Sequence, residues 1–380
     1  GQDVVYNPVV MSYLLVTQDN VLWFARKGPT PDEDGETEDS FHELIADGVN
    51  IQEYSDVETA LSNLVDGSYI KTLFVDPATL NYNLYSILED NSPRSIVFGT
   101  SPVGLRKSVK NDVEIAGMKE AHLEDGIAME RFLHWLQTSV EAGDAINEYE
   151  ASLKLHEFRS EIEGFRGESF ETISAYGPNA ALPHYVTPEE GSAEIYAEGL
   201  YLCDSGGQYL FGTTDITRTI PLGPCSQLEK EDFTLVLKGH IALSKAVFPK
   251  GTAGCQLDAL AREPLWNAKR NFGHGTGHGV GFYLSVHEGP QDIRQNFNRQ
   301  AILPGMITSD EPGIYREGKF GIRHENLILC LEAGENDFGH WLRFEPLTLC
   351  HFDTSILVKD LLDSSEIEWL NAYNERVYQT

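Results

Sequence analysis

Residues 274–281 read HGTGHGVG, with two histidines four positions apart and a glycine at every second position. Histidines at this spacing would share one face of a helix, but each glycine costs a helix about 1 kcal/mol relative to alanine. Four glycines in eight residues therefore predict an extended or turning backbone. Because glycine has no side chain, another group can approach this backbone closely. The stretch thus raises the question of what needs that space beside two imidazoles.

Four acidic residues occur on apolar, strand-like segments elsewhere in the chain. Asp204 ends YLCD, and Asp215 follows eleven residues later, although two aspartates that flank a hairpin are more often turn formers. Glu311 and Glu325 stand in EPGIY and GIRHEN. A glutamate on a buried strand is costly unless a cation neutralises it, and Arg323 offers one positive charge against four negative charges. Two divalent cations would balance the four carboxylates.

The ligand types indicate which metal such a site would prefer. Four carboxylates and one imidazole without cysteine form a hard, oxygen-rich set, which favours Mn²⁺, with Co²⁺ or Zn²⁺ as alternatives. Two metals about 3.5–4 Å apart can hold a bridging hydroxide and polarise a carbonyl oxygen.

Length, charge and cysteine content limit the remaining function classes. A chain of 380 residues predicts two domains, and no apolar run approaches the length of a membrane span. The N-terminus shows no signal-peptide pattern, and five cysteines without a CxxC pair favour free thiols in a reducing cytoplasm. The net charge of -31 argues against nucleic acid and anionic membranes as partners. It suits a cationic ligand such as a peptide's amino end, although a solvated acidic surface is the commoner meaning.

The first region, residues 1–105, predicts a small α/β domain that we expect to lack its beginning. Short runs of β-branched and aromatic residues, typical of strands, occur at 9–16, 21–26, 71–76 and 95–99. Residues 29–40 contain six acids and two prolines. We interpret them as a mobile surface loop rather than an acidic binding tract.

The second region, residues 106–380, predicts an α+β domain with two similar halves, each a helix pair followed by strands. Asn111 and Glu114 form a capping-box pattern, from which a helix runs to about Val140. The predicted apolar side of this helix consists of Val113, Met118, Ile127, Phe132, Leu136 and Val140. Further helices are predicted at about 147–161, 226–247 and 255–270, and strands within 169–220 and 273–349.

Several motifs in a fixed order resemble the aminopeptidase P branch of the pita-bread metallopeptidases, and most of all the eukaryotic cytosolic Xaa-Pro aminopeptidases. These motifs are GHGTGHGVGFYLSVHEGP, SDEPGIY, GIRHEN, FEPLTLC, LCDSGGQYLFGTTDITRTI, VLKGHIALSKAVFPKGT and NPVVMSYLL. The resemblance covers nearly the whole chain. It implies a pita-bread catalytic domain over residues 106–380, preceded by a partial creatinase-type N-terminal domain over 1–105. It also implies a homodimer formed through the catalytic domain.

The resemblance implies a set of five metal ligands, namely Asp204, Asp215, His278, Glu311 and Glu325. In this assignment Asp204 holds one metal, His278 and Glu311 hold the other, and Asp215 and Glu325 bridge the two.

The activity that the resemblance implies is removal of the N-terminal residue from peptides with proline in second position, by a hydroxide held between the two metals. Glu311 would take and pass on the proton, and His287 would stabilise the developing oxyanion. His184 and His274 would position the proline side of the substrate. Tyr315 and Arg323 would support the site and contact the substrate.

Three other functions share this fold: a prolidase restricted to dipeptides, a metal-free creatinase and a non-catalytic binding module. The filled ligand positions argue against the last two. The chain departs from the family in two ways: we expect an extra N-terminal domain to be missing, and His324 replaces an apolar residue beside Glu325. His240 matches a family helix without a role there. The histidines expected to be structural are His42, His122, His134, His156, His340 and His351.

Overall fold

The structure is a computed structural model, and it describes residues 4–26, 43–66, 71–90 and 95–380. The chain divides into two compact units, Gly1–Gly104 and Leu105–Thr380, where the sequence placed the division between residues 105 and 106. The predictions for residues 29–40 and for His42 lie outside the described residues. Among the described residues, no helix combines the length and the apolar character needed to cross a membrane.

The described part of the first unit contains short strands and helices around one core. Its elements are β1 Ser12–Val16, β2 Val21–Ala25, β3 Val49–Glu53, α1 Val57–Asp66, β4 Leu73–Val75, α2 Tyr82–Asp90 and β5 Ile96–Phe98. β2 pairs antiparallel with β1 and parallel with β3, while β4 and β5 pair parallel. Phe24 on β2 packs with Leu61 on α1 and Leu88 on α2. The four predicted strands are confirmed; β3, with only two apolar residues in VNIQE, was not predicted.

The second unit opens its first half with a pair of capped helices. A short helix, α3 (Pro102–Ser108), contains the division between the units. The predicted capping box of Asn111 and Glu114 starts α4, Asp112–Ala142. An equivalent box starts α5, Glu148–Ser160. Both side chains of each box hydrogen-bond to backbone N–H groups, which satisfies donors that a helix start would otherwise leave unpaired.

The buried face of α4 is narrower than predicted. Val113 is 80% exposed and Ile127 is 46% exposed, so placing these two on the apolar side was wrong. At about 100° per residue they lie on the opposite side of the helix from the buried positions. The predicted positions that are buried are Met118, Phe132, Leu136 and Val140.

Short antiparallel strands complete the first half. They are β6 Phe165–Glu168, β7 Ile173–Tyr176, β8 Leu200–Ser205, β9 Gly207–Tyr209, β10 Gly212–Thr213 and β11 Ile216–Pro221. Their sheet orders are β11-β8-β7 and β10-β9-β6. Met129 and Phe132 of α4 pack on Tyr201 of β8 and Ile216 of β11. The helix pair therefore supports the strands β8 and β11 from one side.

The second half repeats the order of helix pair and strands. Its elements are α6 Gln227–Ser244, β12 Val247–Pro249, α7 Gly254–Asn267, β13 Gly277–His278, β14 Asp292–Ile293, β15 Ile307–Asp310, β16 Gly313–Arg316, β17 Phe320–Arg323, β18 Asn326–Asn336, β19 Gly339–Pro346 and α8 Ser364–Gln379. The sheet order is β12-β19-β18-β15, and the pairs β13-β14 and β16-β17 stand apart. Leu243 and Leu257 of the helices pack on Ile328 and Leu342. The predicted α+β fold is confirmed, whereas α8 was not predicted.

Candidate active site

Asp204 and Asp215 come together through the pairing of β8 with β11. Asp204 is the next-to-last residue of β8, and Asp215 directly precedes β11. The two strands pair antiparallel, with Ile216 opposite Ser205 and Thr217 opposite Asp204. This antiparallel pairing brings the two aspartates together, with the strands β9 and β10 in the connection between them.

Glu311 and Glu325 come together in the same way in the second half. Glu311 directly follows β15 and Glu325 directly precedes β18, and these strands pair antiparallel with Asp310 opposite Asn326. The two glutamates therefore lie at the same end of one ladder. The Thr217 hydroxyl donates to Glu325 Oε2 at 2.7 Å. This hydrogen bond joins a strand of the first half to a carboxylate of the second half.

His278 on β13 points one ring nitrogen at the carboxylates. Its Nε2 lies 3.3 Å from Asp215 Oδ2 and 3.5 Å from Glu311 Oε1. Its Nδ1 lies 3.0 Å from the carbonyl oxygen of Gly279, to which an N–H at Nδ1 donates, so Nε2 is left as a lone-pair donor toward the carboxylates.

The possible ligand atoms form overlapping groups of three residues. Within each group the ligand atoms lie within 4.8 Å of one another. Asp204, Asp215 and Glu325 make one trio, and His278, Glu311 and Glu325 make another. Glu325 belongs to both, as expected for a carboxylate shared between two metal positions.

Burial and mutual repulsion disfavour the ionised carboxylates. Burial, and then the neighbouring Asp204 carboxylate, raises the pKa of Asp215 well above its ordinary value. Burial, and then Asp215, does the same to the pKa of Glu325, and burial also raises the pKa of Glu311. Asp204 Oδ1 is buried without a hydrogen-bond partner among the described residues. An oxygen-rich set with an unpartnered buried oxygen fits divalent cations.

A chain of hydrogen bonds connects Asp204 to His274. Arg323 donates from Nε, at 3.1 Å, and from Nη2 to Asp204 Oδ2, and from Nη1 to the Tyr315 hydroxyl oxygen at 2.7 Å. The Tyr315 hydroxyl donates to His274 Nε2 at 2.8 Å, and His274 Nδ1–H donates to the Gly275 carbonyl at 2.8 Å. Burial, and then the Arg323 charge, lowers the pKa of His274 to about 4. The His274 ring is therefore neutral, with both nitrogens engaged.

A cavity of about 290 Å³ opens onto these groups. The sequence-predicted site residues that line it are Asp204, Asp215, His278, Glu311, Glu325, His184, His274, His287 and Arg323. The His287 ring lies against the His278 ring, with centroids 4.0 Å apart. Tyr315 lies behind this lining, where its hydroxyl hydrogen-bonds to His274 and Arg323. The structure therefore brings the whole predicted set together.

Several groups of the site were not predicted from the sequence. The additional lining side chains are Phe170, Ile173, Pro183 and Arg294. Ser309 Oγ accepts from the His278 N–H at 2.9 Å and donates to Glu311 Oε1 at 3.1 Å, so it aligns a residue from each of two strands. The sequence contains no pattern that marks these apolar residues, Ser309 or Arg294 as part of a site.

The glycines of HGTGHGVG accommodate neighbouring backbone. A Cβ atom on Gly277 would lie 2.0 Å from the Ser309 carbonyl oxygen, and one on Gly279 would lie 2.2 Å from the Glu288 carbonyl oxygen. At these positions the protein's own chain fills the space beside the extended stretch. Gly275 and Gly277 nevertheless line the cavity, so a close approach of the substrate to this backbone stays a prediction.

The His324 side chain lies in the core and does not line the cavity. Its ring packs edge-on against Phe233, with centroids 4.4 Å apart. Burial, and then the Arg218 charge, lowers the pKa of His324 well below its ordinary value. It is therefore a neutral aromatic packing residue.

The other described histidines lie outside the cavity lining. His240 is buried and its Nδ1 lies 3.0 Å from the Asp310 carbonyl oxygen. Buried His122 contacts the Met118 carbonyl oxygen, and His351 pairs with Glu130.

Family models match the chain in three segments. Residues 116–332 match metallopeptidase family M24, residues 1–114 match the creatinase/prolidase N-terminal domain, and residues 340–380 match the C-terminal region of peptidase M24.

Individual relatives are similar over the full length of the chain. A probable Xaa-Pro aminopeptidase P of Coprinopsis cinerea is 39% identical over 393 residues, covering 100% of this chain and 62% of the relative. A probable Xaa-Pro aminopeptidase P of Aspergillus niger is 41% identical over 389 residues, covering 100% of this chain and 62% of the relative. The crystal structure of a Caenorhabditis elegans X-prolyl aminopeptidase, described as cytosolic with a di-nuclear active site, has a TM-score of 0.91 and 38% identity, covering 99% of this chain and 61% of that one. This chain thus spans less than two thirds of these relatives' length.

Proposed function

The chain belongs to metallopeptidase family M24, and we propose that it acts as an Xaa-Pro aminopeptidase, which removes the N-terminal residue from peptides with proline in second position. The observation that carries the proposal is the convergence of four carboxylates and the His278 imidazole on one cavity. The substrate class follows from similarity to relatives that are named Xaa-Pro aminopeptidases.

The proposed cofactors are two divalent metal ions, which we assign as Mn²⁺ because the ligand set is rich in carboxylate oxygen. Asp204 would contribute to one position, His278 and Glu311 to the other, and Asp215 and Glu325 to both. When bound, the metals would activate water and polarise the scissile carbonyl.

Each remaining role belongs to a side chain of the cavity. Glu311 accepts and passes on a proton, with its Oε1 held by the Ser309 hydroxyl. His287, beside His278, donates toward the oxygen that becomes negative. His184 lines the proline side. His274 positions that side through its ring, because both of its nitrogens are hydrogen-bonded within the protein.

Supporting groups hold this arrangement in place. Arg323 fixes Asp204, and Tyr315 links Arg323 to His274. Such outer hydrogen bonds set the orientation of the groups that contact metal and substrate. We also propose a cytoplasmic location, in line with the relative described as cytosolic, and a homodimer formed through the second unit.

Hydrolysis of Arg-Pro-Pro by the metal-loaded chain tests the proposal. We expect release of arginine, with Arg-Ala-Ala and N-acetylated Arg-Pro-Pro cleaved slower by about 10²-fold or more, because both lack a group that the site would recognise. The dipeptide Arg-Pro is assayed in parallel. Cleavage of the dipeptide alone would indicate a prolidase, and comparable cleavage of Arg-Ala-Ala would remove the proline specificity.

A further inference from the structure

Arg294 lines the cavity from a position that the backbone holds closely. It directly follows β14, whose two residues pair with Gly277 and His278 of β13. Ile293, the residue before it, is completely buried. The Arg294 stem lies over Gly275, where an added Cβ atom would be 3.2 Å from Arg294 Cβ. The base of the Arg294 side chain is therefore tied to the strand that bears His278.

The Arg294 guanidinium keeps donors available for a ligand. Its Nε lies 3.0 Å from Asp292 Oδ2, and the side chain is 46% exposed. No hydrogen-bond acceptor contacts Nη1 or Nη2 within the described parts of the chain. Arg323, in contrast, has a side chain only 3% exposed and donates to Asp204 and Tyr315. Of the two arginines in the cavity lining, Arg294 is the one that can reach a bound molecule.

The charge of the cavity favours an anionic group near Arg294. Two divalent cations would balance the four ligand carboxylates, and the Arg323 charge would balance a hydroxide held between the metals. The Asp292–Arg294 pair is neutral as a whole, but Arg294 lines the cavity and its side chain is 46% exposed. Elsewhere the chain is strongly acidic, with a net charge of -31, and repels anions. An anionic ligand would therefore gain its attraction locally, from this arginine.

We propose that Arg294 is a specificity-determining residue that binds a carboxylate of the peptide substrate. The proposal rests on the proposed peptidase function. A guanidinium matches a carboxylate with two parallel N–H···O hydrogen bonds. That carboxylate can be the C-terminus of a short peptide or the side chain of an Asp or Glu residue after the proline. The inferred substrates are accordingly Xaa-Pro peptides that are short or acidic.

The test compares kcat/KM for Arg-Pro-Pro, its C-terminal amide, and amidated Arg-Pro-Glu. We expect kcat/KM for a carboxylate-containing substrate to be about 10-fold higher than for the neutral amide, mainly because KM is lower. This is the effect of one charge-assisted hydrogen-bonded pair. In Arg294→Gln this ratio should fall to about 1, and Arg294→Lys should retain part of it. A preference for the free acid indicates the C-terminal source, and a preference for amidated Arg-Pro-Glu indicates the side-chain source.

Arg131→Gln is the matched control, since Arg131 is also 46% exposed and pairs with one carboxylate, Glu161. In Arg131→Gln, the ratio of kcat/KM between the carboxylate-containing substrate and the neutral amide should equal the ratio in the unaltered chain. Equal kcat/KM for all three peptides in the unaltered chain would overturn the proposal. The same would follow from a carboxylate preference that survives in Arg294→Gln.

Equilibrium binding separates this proposal from the peptidase function. The dissociation constants of Pro-Pro and Pro-Pro amide are measured by calorimetry on the metal-loaded chain and on Arg294→Gln. We expect tighter binding of the acid by about 10-fold, lost in the variant. A chain that cleaves no Xaa-Pro peptide but shows this difference contradicts the peptidase function alone. Hydrolysis without any acid preference in binding contradicts only the role of Arg294.

Discussion

The two histidines of HGTGHGVG differ in which ring nitrogens remain free. His278 engages Nδ1 with the Gly279 carbonyl and directs Nε2 toward Asp215 and Glu311. His274 engages both nitrogens, one with the Gly275 carbonyl and the other with the Tyr315 hydroxyl. Only His278 therefore has a lone pair directed at the carboxylates, although the two residues are four positions apart in one motif.

The His278→Ala and His274→Ala variants should consequently fail in different ways. His278→Ala should reduce the metal content from about two ions per chain to about one, because one metal position loses its nitrogen donor. His274→Ala should keep both metals but lose kcat/KM by about 10²-fold, since positioning of the substrate is impaired. Elemental analysis and kinetics on the same preparations measure both effects.

His340→Ala serves as the control for this pair, because the His340 side chain is 54% exposed and lies outside the cavity. It should retain the metals and the rate. If His274→Ala lost a metal and His278→Ala did not, the ligand assignment would be reversed.

Strand β13 shows how tightly neighbouring elements pack around the site. Its Gly277 backbone faces the Ser309 carbonyl of β15, and the His278 N–H donates to the Ser309 hydroxyl. β14 pairs with it on the other edge. Any side chain at Gly277 would push β13 away from β15, and would displace His278 with it.

Gly277→Ala should therefore destabilise the fold in addition to lowering activity. The new Cβ atom would lie 2.0 Å from the Ser309 carbonyl oxygen, and such overpacking typically costs about 1–3 kcal/mol. Thermal and denaturant unfolding measure the loss. Gly273→Ala is the control, since its Cβ atom would have nothing within 4 Å. Equal stability of the two variants would contradict this account of β13.

On the scale of the whole molecule, the site joins the two halves of the second unit. Asp204 lies in β8 and Asp215 directly precedes β11, both in the first half. In the second half, His278 lies in β13, Glu311 directly follows β15 and Glu325 directly precedes β18. Metals held by both sets would stabilise the folded unit, because the unfolded chain does not bring these ligands together.

Removing the metals should accordingly lower the unfolding temperature. Metal at 100 times its dissociation constant stabilises by about 2.7 kcal/mol, which corresponds to a decrease of roughly 5 °C on chelation for a unit of this size. Calorimetry with chelator and with added Mn²⁺ measures the difference. An Asp204→Asn variant should respond less, whereas Glu332→Gln, at an exposed site, should respond fully. An unfolding temperature unaffected by chelation would argue against metals that join the halves.

The sequence by itself determined the features that depend on neighbouring residues. The start of α4 could be predicted because the capping box of Asn111 with Glu114 acts within four residues. The strands near Asp204 and Glu325 could be predicted from their apolar runs. The ligand residues could be named because a hard metal prefers carboxylates and because the family motifs are specific.

The tertiary structure alone decided the features that depend on residues distant in the chain. It placed the Ser309 carbonyl against Gly277, so that a side chain at this position would clash with neighbouring backbone. It turned Ile127 toward solvent and the His324 ring into the core. It also brought Arg294 to the cavity through the pairing of β14 with β13. The physical reason is that close packing and burial depend on which strands and helices become neighbours, and no local pattern encodes those neighbours.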